Sequence, residues 1–138
     1  MTKRYYLFVL ILIAAIGVVG ACKKTIPPKP LSPGKVEINN ESGRTVIIER
    51  YTHVRGSETD ERTINRVLVN GASYNLVNLI DGTGSNIFKG GDEVEVYYKS
   101  RDTLPENPTI PYFSGKWNTR INGNKAMKLT SGGGAVDQ

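Results

Sequence analysis

Turn signals recur every 8–12 residues between positions 35 and 130, and that spacing leaves room only for short secondary-structure elements. From Cys22 onward the chain has nine Val and nine Ile but only six Leu and three Ala. β-Branched side chains suit a pleated sheet, whereas a shortage of Ala and Leu disfavours helices. No window longer than about ten residues keeps the apolar spacing of an amphipathic helix. The sequence therefore predicts an all-β domain.

The clearest predicted strand covers residues 93–99, where Val94, Val96 and Tyr98 alternate with polar side chains. Asn-Gly pairs are the strongest short-range signal for a hairpin, because both central positions of the turn need positive φ. Such pairs, together with the polar segment 40–43, predict three hairpins. They join 36–39 to 44–52, 62–69 to 73–80 through Asn70-Gly71, and 112–121 to 126–130 through Asn122-Gly123.

Seven or eight strands in the domain at 35–130 predict a single antiparallel sandwich of two sheets. The segment 88–96, Phe-Lys-Gly-Gly-Asp-Glu-Val-Glu-Val, resembles the turn and penultimate strand of immunoglobulin-like and fibronectin-type modules. The expectation is an immunoglobulin-like or transthyretin-like sandwich, with a small open barrel as the alternative. The Gly-rich residues 131–138 are predicted to form a flexible tail.

The N-terminal segment has the layout of a secretory signal peptide. Lys3 and Arg4 precede the uncharged apolar run 5–19. The sequence Val19-Gly20-Ala21-Cys22 then resembles the lipobox of bacterial lipoproteins. That resemblance implies cleavage after residue 21, a diacylglycerol on the Cys22 thiol and acylation of the new amino group. The alternative is an uncleaved anchor helix with an incidental cysteine.

Residues 22–34 follow the cysteine and contain four of the seven prolines in the chain. Such a segment predicts an extended tether of roughly 3 Å per residue, which would hold the domain about 30 Å from the bilayer. It resembles the region after the cysteine in lipoproteins of the Bacteroidota. There an acidic run accompanies export to the outer face, and Lys23-Lys24 lacks it. The expected location is the cell envelope, at the periplasmic face of the outer membrane.

Catalytic, metal and cofactor sites are not predicted. His53 is the only histidine and lies in a polar stretch, so it is expected to be an exposed loop residue. Glu93 and Glu95 could flank a glycosidic bond, but a solvent-facing strand explains them more simply. The loop 81–86 offers oxygen ligands for calcium, although a Gly-rich turn has the same composition. With Cys22 lipidated, no thiol remains for catalysis.

A candidate binding surface is predicted beside the longest loop, 101–111. Alternation is expected to bury Tyr98, Phe113 and Trp117 and to expose Tyr97 and Tyr112. With Arg101 nearby, the two exposed tyrosines resemble a recognition surface for proteins or sugars, although the aromatic residues of this region could instead all fill the core.

Two functions follow from this pattern. The first is a non-catalytic, lipid-anchored module that binds another envelope protein, with 36–39 as an exposed edge strand that accepts a partner. The second is a carbohydrate-binding accessory domain that stacks sugars on Tyr97 and Tyr112. A net charge of +3 after residue 21, spread without a cluster, predicts no nucleic-acid partner.

Overall fold

The computed structural model describes residues 26–101 and 112–138, and this part of the chain is all-β. Its eight strands are β1 (Val36–Asn40), β2 (Val46–Arg55), β3 (Glu58–Leu68), β4 (Ser73–Asn75), β5 (Glu93–Ser100), β6 (Ser114–Arg120), β7 (Lys125–Leu129) and β8 (Ala135–Asp137). The predicted signal peptide, Cys22 and residues 102–111 lie outside the described residues. Within the described residues, no helical segment has the length and apolarity that crossing a bilayer requires.

The strands form two open four-stranded sheets, in the orders β4-β1-β7-β8 and β3-β2-β5-β6. We call them the first and the second sheet. The predicted β-sandwich is thus confirmed. The expectation that it is wholly antiparallel is wrong, because β1 pairs with β7 in parallel from Val36↔Lys125 to Asn40↔Leu129. The expected edge strand at 36–39 is wrong for the same reason, since β1 lies between β4 and β7.

Alternating side chains fill the space between the sheets, as a half-buried sheet requires. The predicted β5 pattern is confirmed, because Val94, Val96 and Tyr98 are buried while Glu93 faces solvent. The largest fully buried apolar side chains come from both sheets and from the connections: Tyr51, Phe88, Ile38, Ile48, Leu76, Ile121, Met127 and Leu129.

None of the three predicted hairpins forms. Both Asn-Gly pairs make tight turns with glycine at positive φ, but the chain crosses there from one sheet to the other. The segment 40–45 also crosses between the sheets, from β1 to β2. A hairpin between sequential strands does join β2 to β3, through the two residues Gly56 and Ser57, and another joins β7 to β8. Gly56 has φ +58°, which a two-residue hairpin turn needs.

Irregularities in the β2 ladders place two charged residues side by side. The register shifts between Ile48 and Arg50 against both β3 and β5. Glu49 and Arg50 therefore both lie between the buried residues Ile48 and Tyr51. On β3 the same irregularity leaves Asn65 at φ +45°, a conformation that asparagine tolerates better than most residues.

The chain enters the sandwich at one end and is bound there. Gly34 and Phe88 exchange two backbone hydrogen bonds, and Ser32 pairs with both Asn122 and Gly123 of the turn before β7. We call this the entry end, and it also carries the β2–β3 turn. The opposite end, the loop end, carries the connections at 41–45, 69–72 and 130–134 and the residues flanking 102–111.

The C-terminal residues expected to be a flexible tail instead form β8. Ala135–Asp137 pairs with β7, and the Asp137 carboxylate accepts a hydrogen bond from the Trp117 indole at 2.7 Å. The body of the sandwich thus extends past residue 130.

Candidate functional site

The outer face of the second sheet carries the predicted site residue Tyr97. This face, turned away from the first sheet, consists of the side chains, all but one of them polar, that alternate with the core along three strands. They are Arg50, Thr52 and Val54 from β2, Glu93, Glu95 and Tyr97 from β5, and Lys116, Asn118 and Arg120 from β6. The expected solvent-facing role of Glu93 and Glu95 agrees with this placement.

Tyr97 is held in a network of charged neighbours. The Arg50 guanidinium lies 4.0 Å from the centroid of the Tyr97 ring, so it covers one aromatic face. The Tyr97 hydroxyl donates to Glu95, whose other oxygen lies 3.0 Å from the Lys116 ammonium. The bond to Glu95 raises the pKa of Tyr97, and the same bond, with Lys116, lowers the pKa of Glu95. One face of Tyr97 is therefore unavailable for stacking on a sugar.

Tyr112 and Arg101 lie apart from Tyr97, at the loop end. Tyr97 is opposite Lys116, four residues beyond Tyr112, which corresponds to about 13 Å along a strand. The Ser100–Phe113 backbone bond continues the β5–β6 ladder and leaves Arg101 and Tyr112 as the next residues on the two chains. Tyr112 is 52% exposed, whereas Tyr98, Phe113 and Trp117 are buried, as the alternation predicts.

An open groove of about 610 Å³ lies toward the entry end and reaches from the outer face to the first sheet. Its lining is mainly polar, with side chains from three strands of the second sheet and two from the first: Thr52, Val54, Glu93, Val94, Glu95, Asn118, Thr119, Arg120, Lys125 and Asp137. None of the three predicted surface residues lines it. Hydroxyl, amide, carboxylate and cationic groups together suit a polar ligand rather than an apolar one.

His53 is buried, so the expected exposed loop position is wrong. It lies on β2, two residues from Tyr51 on the inward side, and its relative exposure is 0%. Its Nδ1 accepts the Leu79 amide at 3.3 Å, and its Nε2 lies 2.8 Å from the Asp92 carboxylate. Because Nδ1 is an acceptor, the neutral ring carries its proton on Nε2 and donates it to Asp92. Neither ring nitrogen is open to a substrate.

Asp92 and Asp81 are joined through Arg55. The Arg55 guanidinium donates to both Asp92 oxygens, at 2.9 and 2.8 Å, and also to Asp81. Burial alone raises the pKa of Asp92, but the bonds from Arg55, His53 and the Lys89 amide outweigh it and hold that pKa below its ordinary value. The network thus fixes the connection between β4 and β5 against β2.

The loop 81–86, weighed as a calcium site, uses its one carboxylate internally. Asp81 accepts hydrogen bonds from Arg55 and from the Asn78 amide, and the Arg55 bond lowers the pKa of Asp81. In the part of the chain that the structure describes, no three His, Cys, Asp or Glu side chains come together as a metal site. The loop acts as a structural connection in this arrangement.

Sequence reasoning missed the roles of Arg55 and Asp92 and the burial of His53. A signal existed, because Tyr51, His53 and Arg55 are spaced by two residues and so share one side of a strand. The polar composition of 52–62 concealed it, since that composition favours a loop.

Comparison with known proteins assigns this chain to no family. No family model and no curated protein matches the chain. Among solved structures, it is similar to a chain in the structure of a disulfide-locked mutant of intermedilysin with human CD59. That match has a TM-score of 0.42 and 13% identity, and covers 78% of this chain but 24% of the other. The chain thus spans about a quarter of the length of that neighbour.

Proposed function

We propose that this protein is a lipid-anchored, non-catalytic interaction module of a bacterial cell envelope. In this proposal Cys22 carries the lipid at the periplasmic face of the outer membrane, and the loop end faces a partner protein. The observation that carries it is the position of the bound N-terminal segment. Residues 32–35 are fixed to the entry end, so a chain arriving from a membrane leaves the loop end pointing away from it.

The tether supports this orientation. Its residues from Ser32 onward are taken up by hydrogen bonds to the Asn122–Asn124 turn and to Phe88. Residues 22–30 remain as the linker, and nine residues of extended, Pro-rich chain reach about 28 Å. That distance lifts the sandwich off the lipid surface, and the loop end, where the partner would bind, is farther still from the membrane.

The loop end has the composition of a recognition surface. Val67 and Val69, at the end of β3, are 48% and 60% exposed, and Tyr112 is exposed beyond the other edge of the same sheet. Arg101 is exposed between them on the end of β5. Exposed aliphatic and aromatic side chains beside an arginine are typical of protein-binding surfaces.

The described side chains offer support for the non-catalytic part of the proposal. His53, the only histidine of the chain, has both ring nitrogens engaged inside the protein. On the outer face, the Glu95 carboxylate is paired with the Lys116 ammonium. A non-catalytic role needs no free group of either kind.

The test combines lipid labelling with cross-linking in cells. Palmitate should label the wild-type chain, and Cys22→Ser should remove the label and release the protein from the membrane fraction. A photoreactive residue at Tyr112 should then give a discrete cross-linked band that the same residue at Ser57, exposed at the entry end, does not give. Unchanged processing of the Cys22→Ser form, or equal cross-linking at both ends, would refute the proposal.

A glycan-binding role is the second candidate, and the groove is the observation that favours it. Its hydroxyl, amide and carboxylate groups can pair with sugar hydroxyls, whereas Tyr97 is covered by Arg50. Binding on a glycan array that Asn118→Ala abolishes and Tyr112→Ala leaves intact would place a sugar in the groove. An array without hits would remove this candidate.

A further inference from the structure

The two edge strands of the second sheet, β3 and β6, each have one unpaired side. Within residues 26–101 and 112–138, β3 pairs only with β2 and β6 only with β5. Among the amides from Glu58 to Thr63, the Glu61 amide has a further partner, the Asp60 carboxylate. Edge strands with free N–H and C=O groups are templates for pairing with another strand. Both edges are therefore structurally able to accept one.

The two edges carry opposite charge. Before the irregularity at Asn65, the regular part of β3 from Glu58 to Thr63 has three acidic residues and one arginine, and all six residues are exposed. The seven residues of β6 include Lys116 and Arg120 and no acid. Two β3 edges would repel each other, and so would two β6 edges. A β3 edge and a β6 edge attract, which selects a pairing between unlike edges.

Strand direction permits that pairing without inversion of either molecule. Neighbouring strands in the order β3-β2-β5-β6 are all antiparallel, so a second copy that continues the sheet sets its β3 antiparallel to the first copy's β6. The existing registers align Glu61 with Thr52, Glu95 and Asn118 in one row.

Continuing that row places Glu61 of the next copy opposite Asn118. The residues two positions away along β6 are Lys116 and Arg120, which then stand diagonal to the incoming carboxylate. Diagonal neighbours on an antiparallel pair lie roughly 7–8 Å apart, within reach of long charged side chains. The register that preserves the sheet is thus also one that brings opposite charges together.

Charges that point inward on an edge strand usually prevent pairing, because a partner would bury them. The inward-pointing charges of β3 are not covered by the first sheet. The first sheet ends at β4, which has three residues and lies near the loop end, so Glu58, Asp60 and Arg62 stay exposed on the inner side of β3. When the β6 of another copy is added beside them, the outer charged face stays in solvent, and on the inner side β6 brings its own β8, bound through Trp117 and Asp137.

We propose that the chain associates head to tail with further copies of itself, with the basic β6 edge of one copy against the acidic β3 edge of the next. Such a contact uses different surfaces on the two partners, so each association leaves one free edge of each kind, to which further copies can add in rows. This inference goes beyond the proposed function and does not depend on the lipid anchor.

The test exchanges charges between the edges of the full chain in mild detergent. Variant A carries Asp60→Lys and Glu61→Lys, so both of its edges are basic. Variant B carries Lys116→Glu and Arg120→Glu, so both of its edges are acidic. A matched control, Glu37→Lys with Glu93→Lys, makes the same net-charge change as A on strands that lie inside the two sheets. Trp117 fluorescence confirms that each variant is folded.

Sedimentation velocity gives the readout. The wild-type chain and the control should associate with rising concentration at low salt, and dissociate near 1 M salt, where the Debye length is roughly 3 Å. Variant A alone and variant B alone should each self-associate at least about tenfold more weakly than the wild-type chain, because like charges face each other. An equimolar mixture of A and B should associate again, since each acidic edge then finds a basic one.

A wild-type chain that stays monomeric at every concentration, or an A and B mixture that does not recover association, overturns the proposal. The same holds if the control loses association as A does. The wild-type chain also provides a measurement that needs no variant. Raising its concentration should slow amide exchange in 58–63 and 114–120, and equal exchange at all concentrations contradicts edge pairing.

Discussion

Replacing Asp92 by asparagine should destabilise the sandwich more than any other single change in its polar network. The Asp92 carboxylate is almost fully buried and accepts hydrogen bonds from His53, Arg55 and the Lys89 amide. Asparagine keeps one oxygen but presents an NH₂ group to these donors, of which Arg55 keeps only its bond to Asp81. Removing one partner of a buried ion pair costs about 3–5 kcal/mol, a large part of the stability of a small domain.

The loss should depend on pH with a definite sign. The folded-state pKa of Asp92 lies below its unfolded value, so its contribution is complete above the unfolded pKa, near 4. It is lost as the pH falls through the folded pKa. The difference in unfolding free energy between the wild type and Asp92→Asn should thus be largest at neutral pH and shrink below about pH 4.

Urea unfolding followed by fluorescence of Trp117, the only tryptophan, measures this difference at several pH values. Asp81→Asn is the matched control, because Asp81 also binds Arg55 but is more exposed and should matter much less. Equal losses for the two variants, or a difference for Asp92→Asn that does not change between pH 7 and pH 3, would refute the reasoning.

Three further substitutions test other parts of the structure. Gly34→Ala should loosen the bound N-terminal segment and speed its proteolysis, because the new methyl would lie 2.0 Å from the Gly123 carbonyl oxygen. The control Gly132→Ala should leave proteolysis unchanged, because the space around Gly132 is open. Asn65→Val should lower the thermal midpoint, since its φ of +45° costs a β-branched residue roughly 1–2 kcal/mol, whereas Asn65→Gly should be close to neutral. Met127→Ala should cost about 2–5 kcal/mol in urea unfolding, because it empties a fully buried position.

The strand content of the fold could be predicted because it is a local property. In 93–99 the alternation of Val94, Val96 and Tyr98 with charged residues identified both the strand and its buried face. The same rule failed for β3, because a strand exposed on both faces has no alternation to detect. The real β2–β3 hairpin was missed for that reason, although Gly56-Ser57 supplies its turn.

Strand partners could not be predicted because they depend on distant parts of the chain. An Asn-Gly pair specifies a sharp turn with glycine at positive φ, and both pairs make one. It does not specify whether the next strand returns to the same sheet. The strand after Asn70-Gly71, β4, pairs with β1, which lies some 35 residues earlier in the chain. The strand after Asn122-Gly123, β7, also pairs with β1, in parallel. Topology of this kind is set by how the two sheets share one core.

The burial of His53 shows why a buried polar network is hard to find from sequence. Its partners Leu79 and Asp92 lie 26 and 39 residues away, so no local pattern links them. The same holds for Tyr97, whose exposure was expected but whose ring is covered by Arg50 through an irregularity in β2. The burial of each residue follows from alternation along its strand. The groups that its side chain binds depend on contacts with distant parts of the chain.

The two proposals fit one geometry, because they use perpendicular directions of the same sheet. The strands run between the entry end and the loop end. In a chain anchored at its entry end, they would therefore point from the membrane toward the partner. Sheets extend at right angles to their strands, with neighbours about 4.8 Å apart. Because a continued sheet twists by roughly 20–25° per strand, each copy would be turned against its neighbour, so only short edge-to-edge rows would keep their loop ends away from the membrane. Anchoring would also favour the rows, since confinement to a surface raises the effective concentration of edges that already point at one another.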